Sequence, residues 1–306
     1  MKHKKQHTEY ANYVVTFLDV LGQRAAFKPL EKFPIIERSY EFKEALESIH
    51  ADTVHNVKIL RESFVDLFND LTAERPVPEG IPQAKVEVFK EMRKTNLKYK
   101  SFSDCMQFFA CLNTDKFHCQ AMNAVQTMFA ATGGLLLATL AEKKVFRAGI
   151  DVGIGIEIEE DEVYGPALFR AYDLESKIAK YPRIVIGDTL INYLQNLAHQ
   201  NPQIPNQSTD DIALCKSMAE YCLKSLKQDI DGYIMLDYLG KNFSSGLKEA
   251  FGEKFQLYFD LAFDFIQSEY MRFKKVKDSQ MAQRYHWLYQ YFLEYKARNP
   301  SVKEIK

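Results

Sequence analysis

The sequence predicts an α+β fold, a mixed sheet covered by helices, with a helical insertion and a helical C-terminal extension. Three observations predict it. Short runs rich in β-branched and aromatic residues recur along the first two thirds of the chain and read as strands. Segments with apolar residues at helical spacing separate them, and from about residue 189 onward the pattern is mostly helical and aromatic-rich. Strands interleaved with helices imply one sheet under helical layers. With 306 residues and 46% apolar content the chain can bury a large core. We expect a main domain over 10–190, carrying the insertion at about 30–95, and the extension over 191–306.

"YVVTFLDVLG" (13–22) reads as a buried strand that ends at Gly22, which places Asp19 near its C-terminal end. Residues 30–72 have helical spacing, and the prolines of "ERPVPEGIP" (74–82) mark a loop. From Lys85 to Leu112 the chain returns to strands, with Ser103 and Asp104 forming the turn of a hairpin between "KYKSF" and "CMQFFACL". Residues 117–142 are helical in pattern despite Gly133 and Gly134. "FRAGIDVGIGIEIEE" (146–160) alternates as a strand, and its glycines mark close approach of a backbone or a ligand. A turn and a helix follow over 161–181, with Pro166 suited to the first helical turn, and "PRIVIGD" is another short strand. There are no internal repeats.

Composition excludes several classes of function. A net charge of -1 argues against a protein that coats nucleic acid or lies on anionic lipid. The odd number of cysteines, at 105, 111, 119, 215 and 222, contains no CxxC pair and reads as free thiols in a reducing cytosol. The basic N-terminus lacks an apolar segment behind it, and the longest apolar run, "GGLLLATLA" (133–141), is too short for a bilayer, so a cytoplasmic protein is expected. His118, His199 and His286 have no metal-ligand spacing, and "GIGIEIEE" lacks the helix a dinucleotide fingerprint needs. The acidic "EIEEDE" (157–162) reads as a solvated hairpin tip, and the aromatic residues of 255–293 read as core or oligomer contact.

Asp19 and Asp104 each fall at a strand end or turn, and they meet if the first strand lies beside the hairpin. Adjacent carboxylates repel, and a shared proton or bound cations relieve the repulsion. Hard oxygen ligands of this kind suit Mg²⁺ or Mn²⁺. The backbone N–H groups of Leu21, Gly22 and Gln23 would face the same cleft, where a glycine-containing turn can cradle phosphate. Against this stands the commonness of Asp at strand ends and turns for purely structural reasons.

"FLDVLGQ", "KSFSDCMQFF", "FRAGIDVGIG" and "VYGPALFRAYDLESKIAKYPRIVI" resemble, in order, the core blocks of class III nucleotide cyclases. The match is closest to the bacterial antiphage branch, the pyrimidine cyclases of the Pycsar system, which the tail segments "DIDGYIMLDYL" (229–238) and "RYHWLYQYF" (284–292) also resemble. The resemblance covers most of the chain but is distinctive only in the four blocks. It implies that Asp19 and Asp104 bind two divalent ions, Mn²⁺ or Mg²⁺, with the Val20 carbonyl as an extra ligand. It further implies attack of a ribonucleoside triphosphate's 3'-hydroxyl on its own α-phosphorus, a homodimer with composite active sites, and a separate effector that responds to the cyclic product.

Two departures from that pattern matter. The Asn and Arg that hold ribose and transition-state phosphate in adenylyl and guanylyl cyclases align here with Phe169 and Asp173, so Arg170 becomes the candidate replacement cation; its structural alternative is an ion pair with Asp173 or Glu175. Arg147 is a further phosphate candidate, with a structural ion pair as the alternative. Lys100 and Glu162 align with base-reading positions and by themselves would argue for ATP, whereas Tyr99 or Phe102 could narrow the pocket to a single-ring base. Similarity over the whole chain favours UTP, then CTP. The competing readings are an adenylate or guanylate cyclase, a catalytically silent cyclase-like binding or dimerisation module, and another two-metal enzyme such as a nuclease, which would need a basic groove.

Overall fold

The computed structural model describes residues 10–23, 40–72, 77, 82–114, 116–159, 162–199 and 209–299. The basic N-terminus, residues 24–39, most of the proline-rich loop, the tip of "EIEEDE" and the loop at 200–208 lie outside the described residues.

Strand β1 (Tyr10–Val20) is central because both of its faces are apolar: Val14, Leu18 and Val20 point one way, Tyr13 and Val15 the other, and all five are buried. It pairs antiparallel with β3 (Cys105–Cys111) on one edge and with β4 (Phe146–Glu159) on the other. β2 (Leu97–Phe102) closes a hairpin onto β3. The order β2-β3-β1-β4 is the split βαβ arrangement of ferredoxin-like sheets. The sheet continues through β6 (Ile184–Ile186), parallel to β4, and then through an antiparallel hairpin of β7 (Leu226–Gln228) and β8 (Ile234–Leu236). β5 (Glu162–Tyr164) pairs with the far end of β4.

Helices cover the sheet, as expected, and they pack on both of its faces. Between β1 and β2 run α1 (Tyr40–Ile49), α2 (His55–Thr72) and α3 (Val86–Arg93), and α4 (Cys119–Ala141) joins β3 to β4. Phe64 and Phe68 of α2 and the apolar residues of α4, among them Met122, Val125, Phe129 and Leu136, form the main core with Leu18, Phe108, Ile150 and Leu236. α5 (Pro166–Asp173) covers the opposite face through Ala167 and Ala171, packed with Tyr13, Val15, Phe109 and Val163. Past β6 come α6 (Asp188–His199), α7 (Thr209–Lys224), α8 (Lys241–Phe251), α9 (Lys254–Lys275) and α10 (Ser279–Arg298). The aromatic residues of α9 and α10 are core, with the rings of Phe259 and Phe292 stacked at 5.4 Å.

Two stretches differ from the sequence expectation. Val86–Arg93 is a helix rather than a strand, because its alternating "VEVF" gives way to helical side-chain pairs: Lys90 bonds Glu87 at 2.9 Å and the Arg93 guanidinium lies over the Phe89 ring. The C-terminal extension is not wholly helical, since β7 and β8 enlarge the sheet. The extension docks where α4 has no side chain: a Cβ on Gly133 would lie 2.8 Å from the Phe243 ring, and one on Gly134 3.4 Å from Leu247 and Phe251. By length and composition α4 is apolar enough to cross a membrane, but 83% of its most apolar window is buried inside the protein.

Candidate active site

Strand register assembles the site. β1 pairs Asp19 with Cys105 on one side and with Arg147 on the other, and directly opposed residues of neighbouring strands share a face. Asp104 precedes Cys105 in the hairpin turn, and its carbonyl accepts the Val20 N–H at 3.2 Å, which clamps the turn to the end of β1. Asp19 and Asp104 therefore meet: their carboxylate oxygens and the Cys105 Sγ offer ligand atoms that all lie within 4.8 Å of one another. Ser103 completes the turn at φ +57°, a conformation disfavoured for a residue with a side chain.

A second layer stands behind Asp19. Arg147 donates from Nη2 to Asp19 Oδ2 at 3.2 Å and from Nη1 to the Ala179 carbonyl at 3.4 Å, and its Nε lies 2.5 Å from Glu175 Oε1. Glu175 sits in a π-helical turn (Leu174–Ile178) that continues α5. That turn can lie against β4 because Gly149 has no side chain; a Cβ there would come within 2.3 Å of the Ala171 carbonyl and 2.6 Å of Leu174 Cβ. The close approach foreseen at the β4 glycines is thus by backbone of α5 and its π-helical turn at Gly149, and by the Val163 and Tyr13 side chains at Gly155.

Burial pushes the Asp19 carboxyl up, the Arg147 guanidinium pulls it back and Asp104 raises it again. Burial, followed by Asp19 and Asp104, pushes the Cys105 thiol up to about 12, so it stays protonated at neutral pH. The Asp19 and Asp104 carboxylate oxygens are hard donors that fit a divalent ion such as Mg²⁺ or Mn²⁺.

Glu175 is the most perturbed carboxyl of the cluster, raised from its ordinary 4.5 to about 7, by burial first, against the opposing pull of Arg147 and with a further push from Asp19. Its folded value lies above its unfolded one, so this group's stabilisation is greatest below about 4.5 and is lost as pH rises to about 7. The loss is on the order of 3 kcal/mol. Urea unfolding in EDTA should show wild-type stability falling across that window relative to Glu175→Gln. Equal slopes for the two proteins would refute the assignment.

The remaining expected site residues are only partly brought together. The Leu21 N–H donates to the Val145 carbonyl at 2.8 Å, so it is not available to a phosphate, and the expected three-amide cradle loses that member. Gly22 adopts φ +88°, a backbone conformation that favours glycine, with open space around it, and Gln23 is the last described residue of this stretch. Lys100 and Glu162 pair with each other at 3.5 Å across β2 and β5, beside a second such pair, Lys98 with Glu157 at 2.8 Å. Tyr99 lies on the other face of β2, against Phe108 and under the Arg61 guanidinium, and cannot share a pocket with Lys100. Phe102, of the same parity as Lys100, is 84% exposed at the hairpin tip.

Arg170 lies away from the carboxylate pair. It donates to the Val152 carbonyl at 3.1 Å and to Thr189 Oγ1 at 2.9 Å, and Val152 is about 16 Å along β4 from Arg147. Neither alternative partner holds it: Asp173 pairs with Lys177 at 2.8 Å and Glu175 with Arg147. Sequence reasoning did not place Cys105 or Glu175 in the cluster. Cys105 was findable from its position next to Asp104, whereas nothing local marks Glu175.

No protein-family model and no curated protein matches this chain. Among solved structures it is similar to a class III adenylyl cyclase-like ATP-binding protein from Pseudomonas aeruginosa, with 14% identity and a TM-score of 0.35. The likeness covers 70% of this chain and 41% of that one, so the chain spans well under half of the length of the protein it matches.

Proposed function

We propose that this chain is a metal-dependent nucleotide cyclase that converts a pyrimidine ribonucleoside triphosphate, UTP before CTP, to its 3',5'-cyclic monophosphate and pyrophosphate. The observation that carries the reading is the convergence of Asp19 and Asp104 at one end of a ferredoxin-like sheet, on the blocks that resemble class III cyclases. Bound Mn²⁺ or Mg²⁺ would supply a lowered 3'-hydroxyl pKa and charge neutralisation for the triphosphate. Asp19 and Asp104 would hold the ions, with the Val20 carbonyl at the same strand end. Gly22 and Gln23 would approach the phosphates, and Arg147 is placed to add a cationic contact. Lys100, Glu162 and Phe102 would border the base.

Arg170 does not reach this cluster within one chain, so its catalytic role requires a second copy, in a homodimer with composite sites. The exposed Tyr164, Phe169 and Tyr172 around α5 support such an interface. A role in antiphage defence, with a cytoplasmic cyclic-nucleotide-responsive effector, follows from the resemblance to the Pycsar branch. One pair of observations favours a silent binding module instead: Arg147 already neutralises Asp19, and Arg170 is engaged by Thr189. Incubation with each of the four radiolabelled ribonucleoside triphosphates and Mn²⁺ separates the readings. A labelled cyclic pyrimidine nucleotide is expected. No cyclic product from any of the four would overturn the enzyme reading, and cyclic AMP or GMP alone would overturn the pyrimidine assignment.

A further inference from the structure

We infer that Arg147, tethered by Glu175, is a built-in counter-ion for Asp19 that a divalent cation must displace, so that Glu175 is the positioning residue that sets how tightly the site takes metal. The inference rests on the metal reading of Asp19 and Asp104 above and concerns two residues outside that ligand pair.

The geometry makes the exchange possible. Arg147 meets three oxygens: it donates to Asp19 Oδ2 from β1 and to the Ala179 carbonyl just beyond the π-helical turn, and its Nε forms a close ion pair with Glu175 Oε1 in that turn. Two of these oxygens come from the π-helical turn and its C-terminal end rather than from the strands that carry the carboxylate pair, so the guanidinium keeps partners when Asp19 turns to a cation. Register fixes Arg147 directly opposite Asp19, which brings the guanidinium to the carboxylate at 3.2 Å. Asp19 is left with one oxygen towards Cys105 and Asp104 and the other held by Arg147. An arriving divalent ion and the guanidinium then compete for one carboxylate and repel each other. Glu175, with its side chain only 3% exposed, is the acceptor that can draw Arg147 back.

Two substitutions should therefore move metal affinity in opposite directions, which a merely structural role for the pair would not do. Mn²⁺ binding, followed by loss of the free-ion EPR signal without nucleotide, should tighten by about tenfold in Arg147→Gln, as expected for removing a charge a few ångströms from a ligand. It should weaken by a similar factor in Glu175→Gln, where Arg147 keeps only Asp19 as its carboxylate. In the double variant, which removes both members of the Arg147–Glu175 pair, affinity should match Arg147→Gln, because Glu175 acts through Arg147. That variant keeps the test open if either single variant folds poorly. Mn²⁺ binding that is equal in wild type and variants, or altered in the same direction by both single changes, overturns this inference while leaving the metal site standing. No Mn²⁺ binding by wild type or any variant overturns both.

Discussion

Asp104→Ala is expected to abolish nucleotide cyclisation, by on the order of a thousandfold or more, while leaving the fold intact. The substitution removes one of the two carboxylates that converge at the end of β1 but touches no core contact, because Asp104 lies in a two-residue turn and its structural bond to Val20 is made by its backbone carbonyl. Unfolding free energy should stay within about 0.5 kcal/mol of wild type, the usual range for surface changes. Initial rates of cyclic product formation, together with urea unfolding, make the measurement. Retention of near wild-type turnover by a folded Asp104→Ala protein would remove the carboxylate pair from the mechanism. Asp19→Ala should be equally inactive. In that variant Arg147 keeps Glu175 as its carboxylate partner, so an unpaired guanidinium cannot account for lost activity.

Arg183→Met is expected to be the most damaging single change for stability, costing about 3–5 kcal/mol. Arg183 is 1% exposed and is the hub of a buried ion network. It pairs with Asp229, lies 2.5 Å from Asp231, donates to the Ile178 carbonyl at 2.7 Å and stacks over the Tyr181 ring, whose hydroxyl bonds Asp229 at 2.5 Å. Removing the cation leaves the buried Asp229 carboxylate with only neutral donors, the Tyr181 hydroxyl and the Ile230 N–H, and breaking one half of a buried pair is worse than replacing both. The clamp also ties the β7–β8 turn of the C-terminal extension to β6 and to the end of the π-helical turn that carries Glu175. Loss of Arg183 should therefore unfold extension and sheet in one denaturant transition at lower midpoint. A midpoint unchanged within error would show that the network is stability-neutral.

Much of this architecture was legible residue by residue. β1, the β2–β3 hairpin, β4, α4 and α5 carry their own signals in alternation, helical spacing, turn chemistry and Pro166, and local signals of that kind do not depend on distant partners. Val86–Arg93 was misread because four alternating residues outweighed the helical pairs that follow them. β7 and β8 have no signal in the sequence because strands of three residues have no periodicity of their own; they form by pairing with each other and, through β8, with β6 at the open sheet edge. The site followed the same division. Asp19 and Asp104 stood out as carboxylates at strand ends, while the partners of Arg170, Lys100 and Tyr99 depended on facing and register.

By itself the sequence determined that two carboxylates stand at the ends of strands, that a glycine follows the first of them, and that helices alternate with those strands to cover a sheet. Tertiary structure alone decided that Asp19 and Asp104 face one another, that Arg147 and Glu175 stand behind them, and that Arg170 is held away from the cluster. The reason is physical. Strand and turn propensities act over a few neighbouring residues, whereas an electrostatic cluster is built from register between strands and from a helix turn that reaches the sheet only where Gly149 lets it.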